Sequence, residues 1–167
     1  MCRCRLVVLL ALPLFMISSL VRAADKENKI PDELQAILEK AEKFELLSLS
    51  PEHLQEKPKD GFHGWRILGK TAMKDADARM NLVAAFKKGV AENKGIVARC
   101  FNPRHGIRVT HDGKTADFVI CFECYQVQAY VGDKQEKGFL ITDSPASAFD
   151  AVLKEAKVPL AEKPKKE

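Results

Sequence analysis

No glycine loop in this chain is read as a phosphate cradle, and there is no Ser-centred nucleophile elbow, no His-Glu-x-x-His and no EF-hand run. Each absence weighs against a class. Nucleotide hydrolysis on a glycine loop, serine hydrolysis, zinc-peptidase chemistry and calcium sensing need those residue types at fixed spacing. A haem attachment site is excluded, because Tyr125 stands where Cys-x-x-Cys-His requires histidine. There is no internal repeat, and no low-complexity tract beyond the Lys-rich C-terminus. Excess charge is also missing. The chain is +4, but residues 1–23 hold three Arg and no acid, which leaves the remainder near +1. A basic face for nucleic acid is not supported at that balance, so no nucleic-acid partner is expected.

What the sequence does have begins with one apolar run at the N-terminus. Arg3 and Arg5 precede it, Leu6 to Ile17 form it, and Val21-Arg22-Ala23 supplies the branched and small residues that signal peptidase accepts. A bilayer span needs about 20 apolar residues, more than this run provides. Residues 1–23 are therefore expected to be a secretory signal cleaved near Ala23, carrying Cys2 and Cys4 away with it. No cysteine follows at the cleavage point, so no lipid anchor is expected. The mature chain is expected to be exported, to the periplasm or the outside, with no membrane span. About 140 residues then remain, enough for one hydrophobic core. The expected organisation is a flexible N-terminus over 24–30, a single domain over 31–160 and a disordered Lys-rich tail over 161–167.

Within the domain, Pro31 opens a predicted helix over 31–43, with Leu34, Ile37, Leu38 and Ala41 at helical spacing. Phe44 to Ser50 alternates as a strand, 51–61 reads as a loop, and Trp65 to Met73 reads as a second strand. A helix follows over 75–92, with Leu82, Val83, Phe86 and Val90 on one face and Asn93-Lys94-Gly95 as its stop. Further strands are expected at 96–101, at 107–111 and 115–131 around an Asp112-Gly113 hairpin turn, and at 138–142. Ser144-Pro145 opens a last helix with Ala148, Phe149, Val152, Leu153 and Ala156 as its stripe. The order α-β-β-α-β-β-β-β-α, with strands in runs, predicts an α+β fold. One antiparallel sheet is built around a central hairpin, with about three helices packed on one face.

The chemistry is concentrated between Arg99 and Tyr125. Cys100, His105, Cys121 and Cys124 fall within that stretch, and no other mature cysteine exists. A two-residue turn at Asp112-Gly113 pairs His111 with Lys114, Val109 with Ala116, Ile107 with Phe118 and His105 with Ile120. Continued, it places Cys100 beside Cys124 and His105 beside Cys121, about 5 Å apart. Alternation sends Cys121 and Cys124 to opposite faces, so they can bond only if Phe122-Glu123 forms a turn or bulge.

The leading expectation is a disulfide, most simply Cys100 with Cys124 or Cys121, worth about 2–4 kcal/mol and leaving one thiol. Zinc held by Cys100, His105, Cys121 and Cys124 has the right ligand types in an unfamiliar spacing. The cofactor is not legible, and none is expected ahead of zinc. Buried thiols acting as small hydrophobes are the third reading. Catalytic thiol chemistry comes last, because no helix N-terminus is at hand to lower a thiol pKa. Arg99, Arg104 and Arg108 cluster near the same loop as a candidate anion site. The plainer reading pairs them with Asp117 and Glu123 on an exposed face. His63 reads as part of a loop beside a buried Trp65, and His53 and His111 as surface residues.

At Cys100-Phe101-Asn102-Pro103-Arg104-His105-Gly106-Ile107 and Ile120-Cys121-Phe122-Glu123-Cys124 the chain resembles a group of uncharacterised bacterial exported proteins. In that group a Cys-x-x-Pro-Arg/His-His element precedes an Ile-Cys-Phe-x-Cys strand. The resemblance spans residues 96–131 and implies no activity. It implies that Cys100, Pro103, His105, Cys121 and Cys124 belong to one unit. The function expected is that of a non-enzymatic binding or interaction domain with a structural Cys/His cluster; partner and oligomeric state are not legible. The alternative is a metal- or thiol-dependent site at the same residues.

Overall fold

In the computed structural model, residues 28–52 and 60–162 are described. The expected signal segment, His53 and most of the Lys-rich tail lie outside those residues. Helix α1 (Asp32–Glu39) begins after Pro31 and carries Asp32 and Glu33 in its first turn, where carboxylates favour the helix dipole. It is shorter than the expected 31–43, because Lys43 already belongs to strand β1 (Lys43–Leu49). Strand β2 (Ile67–Ala72) follows, then helix α2 (Ala76–Glu92). Asp75 caps α2 by accepting a hydrogen bond from the Ala78 amide at 2.7 Å, and Leu82, Val83, Phe86 and Val90 are buried as their spacing predicts. Strands β3 (His105–His111), β4 (Lys114–Cys121), β5 (Gln126–Val131) and β6 (Lys134–Leu140) come next, then helix α3 (Ala146–Glu155).

All neighbouring strands run antiparallel, and the six-stranded order is β2-β1-β3-β4-β5-β6. This is the expected α+β fold. Among the described residues, no helix is long and apolar enough to cross a membrane. Asp112 and Gly113 both take positive φ, 48° and 72°, as a type I′ turn requires. The β3–β4 register is the one that turn dictates, from His111 opposite Lys114 through to His105 opposite Ile120.

Three expectations are corrected. Residues 96–101 form no strand: Ile96 and Val97 are 63% and 54% exposed, and β3 starts only at His105, beyond Pro103. Proline lacks the N–H that a ladder would use there. The 115–131 strand is two strands, because 122–125 is a turn with Tyr125 at φ 58°. Residues 28–30 are not loose. Asn28 accepts from the Leu140 amide at 2.8 Å and donates to the Leu140 and Val90 carbonyls, and Ile30 is buried in the core.

The main core lies between the helices and one face of the sheet. Phe86 of α2 sits at its centre, in edge or tilted contact with Phe118, Phe139 and Phe149 at 5.7–6.2 Å. On the other face a smaller cluster, Leu47, Leu49, Phe62 and Val119, is covered by Trp65, Ile67, Phe101 and Tyr130. Gly106 permits that cover, since a Cβ there would lie 2.8 Å from the Phe62 ring. At the sheet's outer edge, Val158 and Pro159 pack over Gly69 of β2.

Candidate functional site

The end of the sheet where β4 turns into β5 carries the cysteines. Phe122 to Tyr125 fold into a tight turn, and Cys121 and Cys124 are paired across it as a disulfide with a Cα–Cα distance of 5.2 Å. That separation suits the bond. The expected partner, Cys100, is instead the free thiol. It is exposed, and its Sγ lies 2.8 Å from Cys124 Sγ. The proximity of Cys100 to Cys124 was legible from the hairpin, although Cys100 is not in the ladder. It is held by other means. The Ala98 amide donates to the Cys124 carbonyl, Gln126 Nε2 donates to the Ala98 and Cys100 carbonyls, and Phe101 packs on Trp65.

His105 does not join the sulfurs. Its ladder partner Ile120 faces the helix-side core, so Cys121, the next residue, leaves the sheet on the other face. The four-residue zinc set is therefore divided between the two faces, with two of its thiols already bonded to each other. Among the described residues, the group whose ligand atoms gather within reach of one metal ion is Glu42, His111 and Asp112 at the hairpin tip.

His105 is buried on the helix side, wedged against Phe122 and Phe149, and its Nε2 lies 2.9 Å from Asp150 Oδ1 on α3. The pair lies at a cleft of about 550 Å³ between α3, the turn at 122–125 and residues 160–161. Phe122, Tyr125 and Leu160 give it apolar wall, and Glu123, Asp143, Ser147, Arg104 and Asn102 give it polar groups. Ser48 stands directly opposite His105 in the β1–β3 ladder, fully buried, and its hydroxyl has no hydrogen-bond partner among the described residues.

The arginines do not form a common anion mouth. Arg104 pairs with Glu123 at 2.6 Å, and Arg99 is exposed on the loop before the thiol. Arg108 lies on the helix-free face, where it grips Asp117 through Nε at 2.8 Å and Nη2 at 2.7 Å and stacks over Phe62. Both arginines meet the carboxylates named for them, but not on an exposed face: Asp117 is 2% exposed and the Arg104 side chain 15%.

On that same face sits a constellation with no local signal in the sequence. His63, at φ 50° in the Phe62–Trp65 turn, places Nε2 2.7 Å from Asp117 Oδ2 and stacks on Tyr130 at 3.6 Å. Burial alone would raise the Asp117 carboxyl, but hydrogen bonds from Arg108 and His63 outweigh it and hold it below the usual range. The Arg108 guanidinium is raised by the same bond to Asp117, and burial raises the Tyr130 phenol.

One phosphate-loop spelling does occur in the sequence. Gly64-Trp65-Arg66-Ile67-Leu68-Gly69-Lys70-Thr71 matches Gly-x4-Gly-Lys-Thr, the phosphate-loop pattern. Its structural context is wrong. Ile67 to Thr71 lie in strand β2 rather than leading into a helix, and Lys70 bonds Glu45 at 2.8 Å. Gly69 is needed for the close approach of Val158.

No protein family, curated protein or solved structure matches the chain.

Proposed function

We propose that this is an exported, non-enzymatic binding domain whose ligand site is the cleft beside His105, with the cysteines acting as its brace. One observation carries the reading: the Cys121–Cys124 bond encloses Phe122 and Glu123, and both line the cleft. The disulfide fixes the turn that forms a wall, and the His105–Asp150 pair supplies a rigid polar floor. Binding sites of this kind combine apolar walls with a few fixed polar groups.

The lining carries three carboxylates, Glu123, Asp143 and Asp150, against the guanidinium of Arg104 and the imidazole of His105. The three carboxylates outnumber the two basic side chains, so the balance is negative, and it favours a ligand with an amine attached to an apolar body. The test uses phenethylamine and 3-phenylpropanoate, which share an aromatic body and differ in charge. Amide ¹H–¹⁵N spectra are expected to shift at 122–125 and 146–150 with the amine, and much less with the acid. No shift in those segments with either compound overturns the cleft as the site. A stronger response to the acid overturns the charge argument.

A further inference from the structure

We infer that Cys100, Cys124 and Cys121 form an internal thiol–disulfide exchange site, in which Cys124 can bond to either of the other two sulfurs. The inference is independent of any ligand in the cleft. It rests on an exposed thiol held 2.8 Å from one sulfur of an existing disulfide. Exchange proceeds by attack of a thiolate on a disulfide sulfur, with the other sulfur leaving.

All three parts are in place. The nucleophile, Cys100, is on a loop tied to the turn by the Ala98 amide and the Gln126 side chain, so its approach to Cys124 does not depend on chance encounter. The attacked sulfur, Cys124 Sγ, is buried and accepts a hydrogen bond from the Asn102 amide at 3.4 Å. The leaving sulfur, Cys121 Sγ, accepts from the Cys124 amide at 3.2 Å, a donor positioned to stabilise the negative charge that develops there.

The step balances without a co-reactant. Cys100 loses its proton to solvent, and its thiolate attacks Cys124 Sγ. The Cys100–Cys124 bond forms as the Cys124–Cys121 bond breaks. The bonding pair leaves on Cys121, which takes up a proton. One thiol and one disulfide stand on each side. The difference is in access. Cys121 and Cys124 are 1% and 0% exposed, whereas Cys100 is at the surface. Exchange thus carries the reducible bond from the interior to a place where an external thiol can reach it. An outside thiolate attacking Cys100 Sγ would give a mixed disulfide there and a Cys124 thiol.

Peptide mapping of the full chain tests this directly. Trypsin releases Cys100 within 100–104 and keeps Cys121 and Cys124 together within 115–134. Native protein is incubated at pH 8, quenched in acid, alkylated with N-ethylmaleimide and digested. The expected result is two populations. In one, peptide 100–104 is alkylated and the disulfide lies within 115–134. In the other, the two peptides are joined, and cleavage after Glu123 assigns the link to Cys124. Cys121→Ser should convert at least nine-tenths of the protein to the joined form in a glutathione redox buffer. Wild-type protein with only the internal bond after incubation overturns the inference, as does a link from Cys100 to Cys121. The wild-type readout stands even if the variant does not fold.

Discussion

The sheet carries a histidine–aspartate pair on each face, and the two differ in what surrounds them. On the helix-free face, His63–Asp117 is held by its neighbours: Arg108 takes both carboxylate oxygens, and Tyr130 stacks on the imidazole. On the helix face, His105–Asp150 borders a cleft, and Ser48 beside it lacks a hydrogen-bond partner among the described residues. In the first pair both carboxylate oxygens are bonded within the fold, so its role is to pin the 62–65 turn to the sheet. The second faces space that a ligand can enter. Under the proposed function, identical residue types serve stability in one place and recognition in the other, and the neighbours decide which.

The comparison breaks most visibly at Arg108. Arg108→Ala leaves the 2%-exposed Asp117 carboxylate with only His63, and is expected to cost about 3 kcal/mol in chemical denaturation. The pH dependence has a defined sign. Asp117 titrates below its ordinary 3.8 in the folded protein, so its contribution is present above that value and is lost as pH falls further. Asp117→Asn should flatten the acid limb of the stability profile; an unchanged limb would show that the pair carries no linkage.

Next in size is the brace. Replacing Cys121 and Cys124 together by Ser should cost about 2 kcal/mol, the value for a short closed loop, and weaken phenethylamine shifts at the cleft. Asp150→Asn should cost no more than about 1 kcal/mol, because its side chain is partly exposed, while reducing the response to the amine several-fold. A stability loss equal to that of Arg108→Ala would mean that the two pairs have the same role. Ser48→Ala should be neutral or stabilise by up to about 1 kcal/mol, since it removes an unsatisfied buried hydroxyl. A clear drop in melting temperature would show that the hydroxyl has a partner.

Much of the fold was legible because its signals are local. Asp112-Gly113 dictated the register of the central hairpin, and the helix stripes named Leu82, Val83, Phe86 and Val90 of α2 and Phe149 and Leu153 of α3, although Ala156, placed in the last stripe, is exposed. The errors arose where context overrode propensity. Ile96 and Val97 favour strands but are exposed, and the Ile96 backbone is bonded by the Asn93 side chain rather than by a strand. The turn at 122–125 contains no glycine or proline and takes its shape with the disulfide. Gly132-Asp133, by contrast, is a local two-residue turn signal that joins β5 to β6. Of the site, the approach of Cys100 to Cys124 was visible from the hairpin. The contacts of His105 with Asp150 and of His63 with Asp117 span 45 and 54 residues and leave no periodic trace.

Asn28 has a consequence beyond anchoring the start of the domain. An unpaired strand edge offers its backbone groups to any neighbouring chain. On β6, Asn28 supplies the Leu140 amide with an acceptor and its carbonyl with a donor, as another strand would. Lys134 and Lys137 put charge along the rest of that edge. The start of the domain thereby obstructs the sheet's growth by strand addition at β6, protecting that edge against aggregation when copies are crowded.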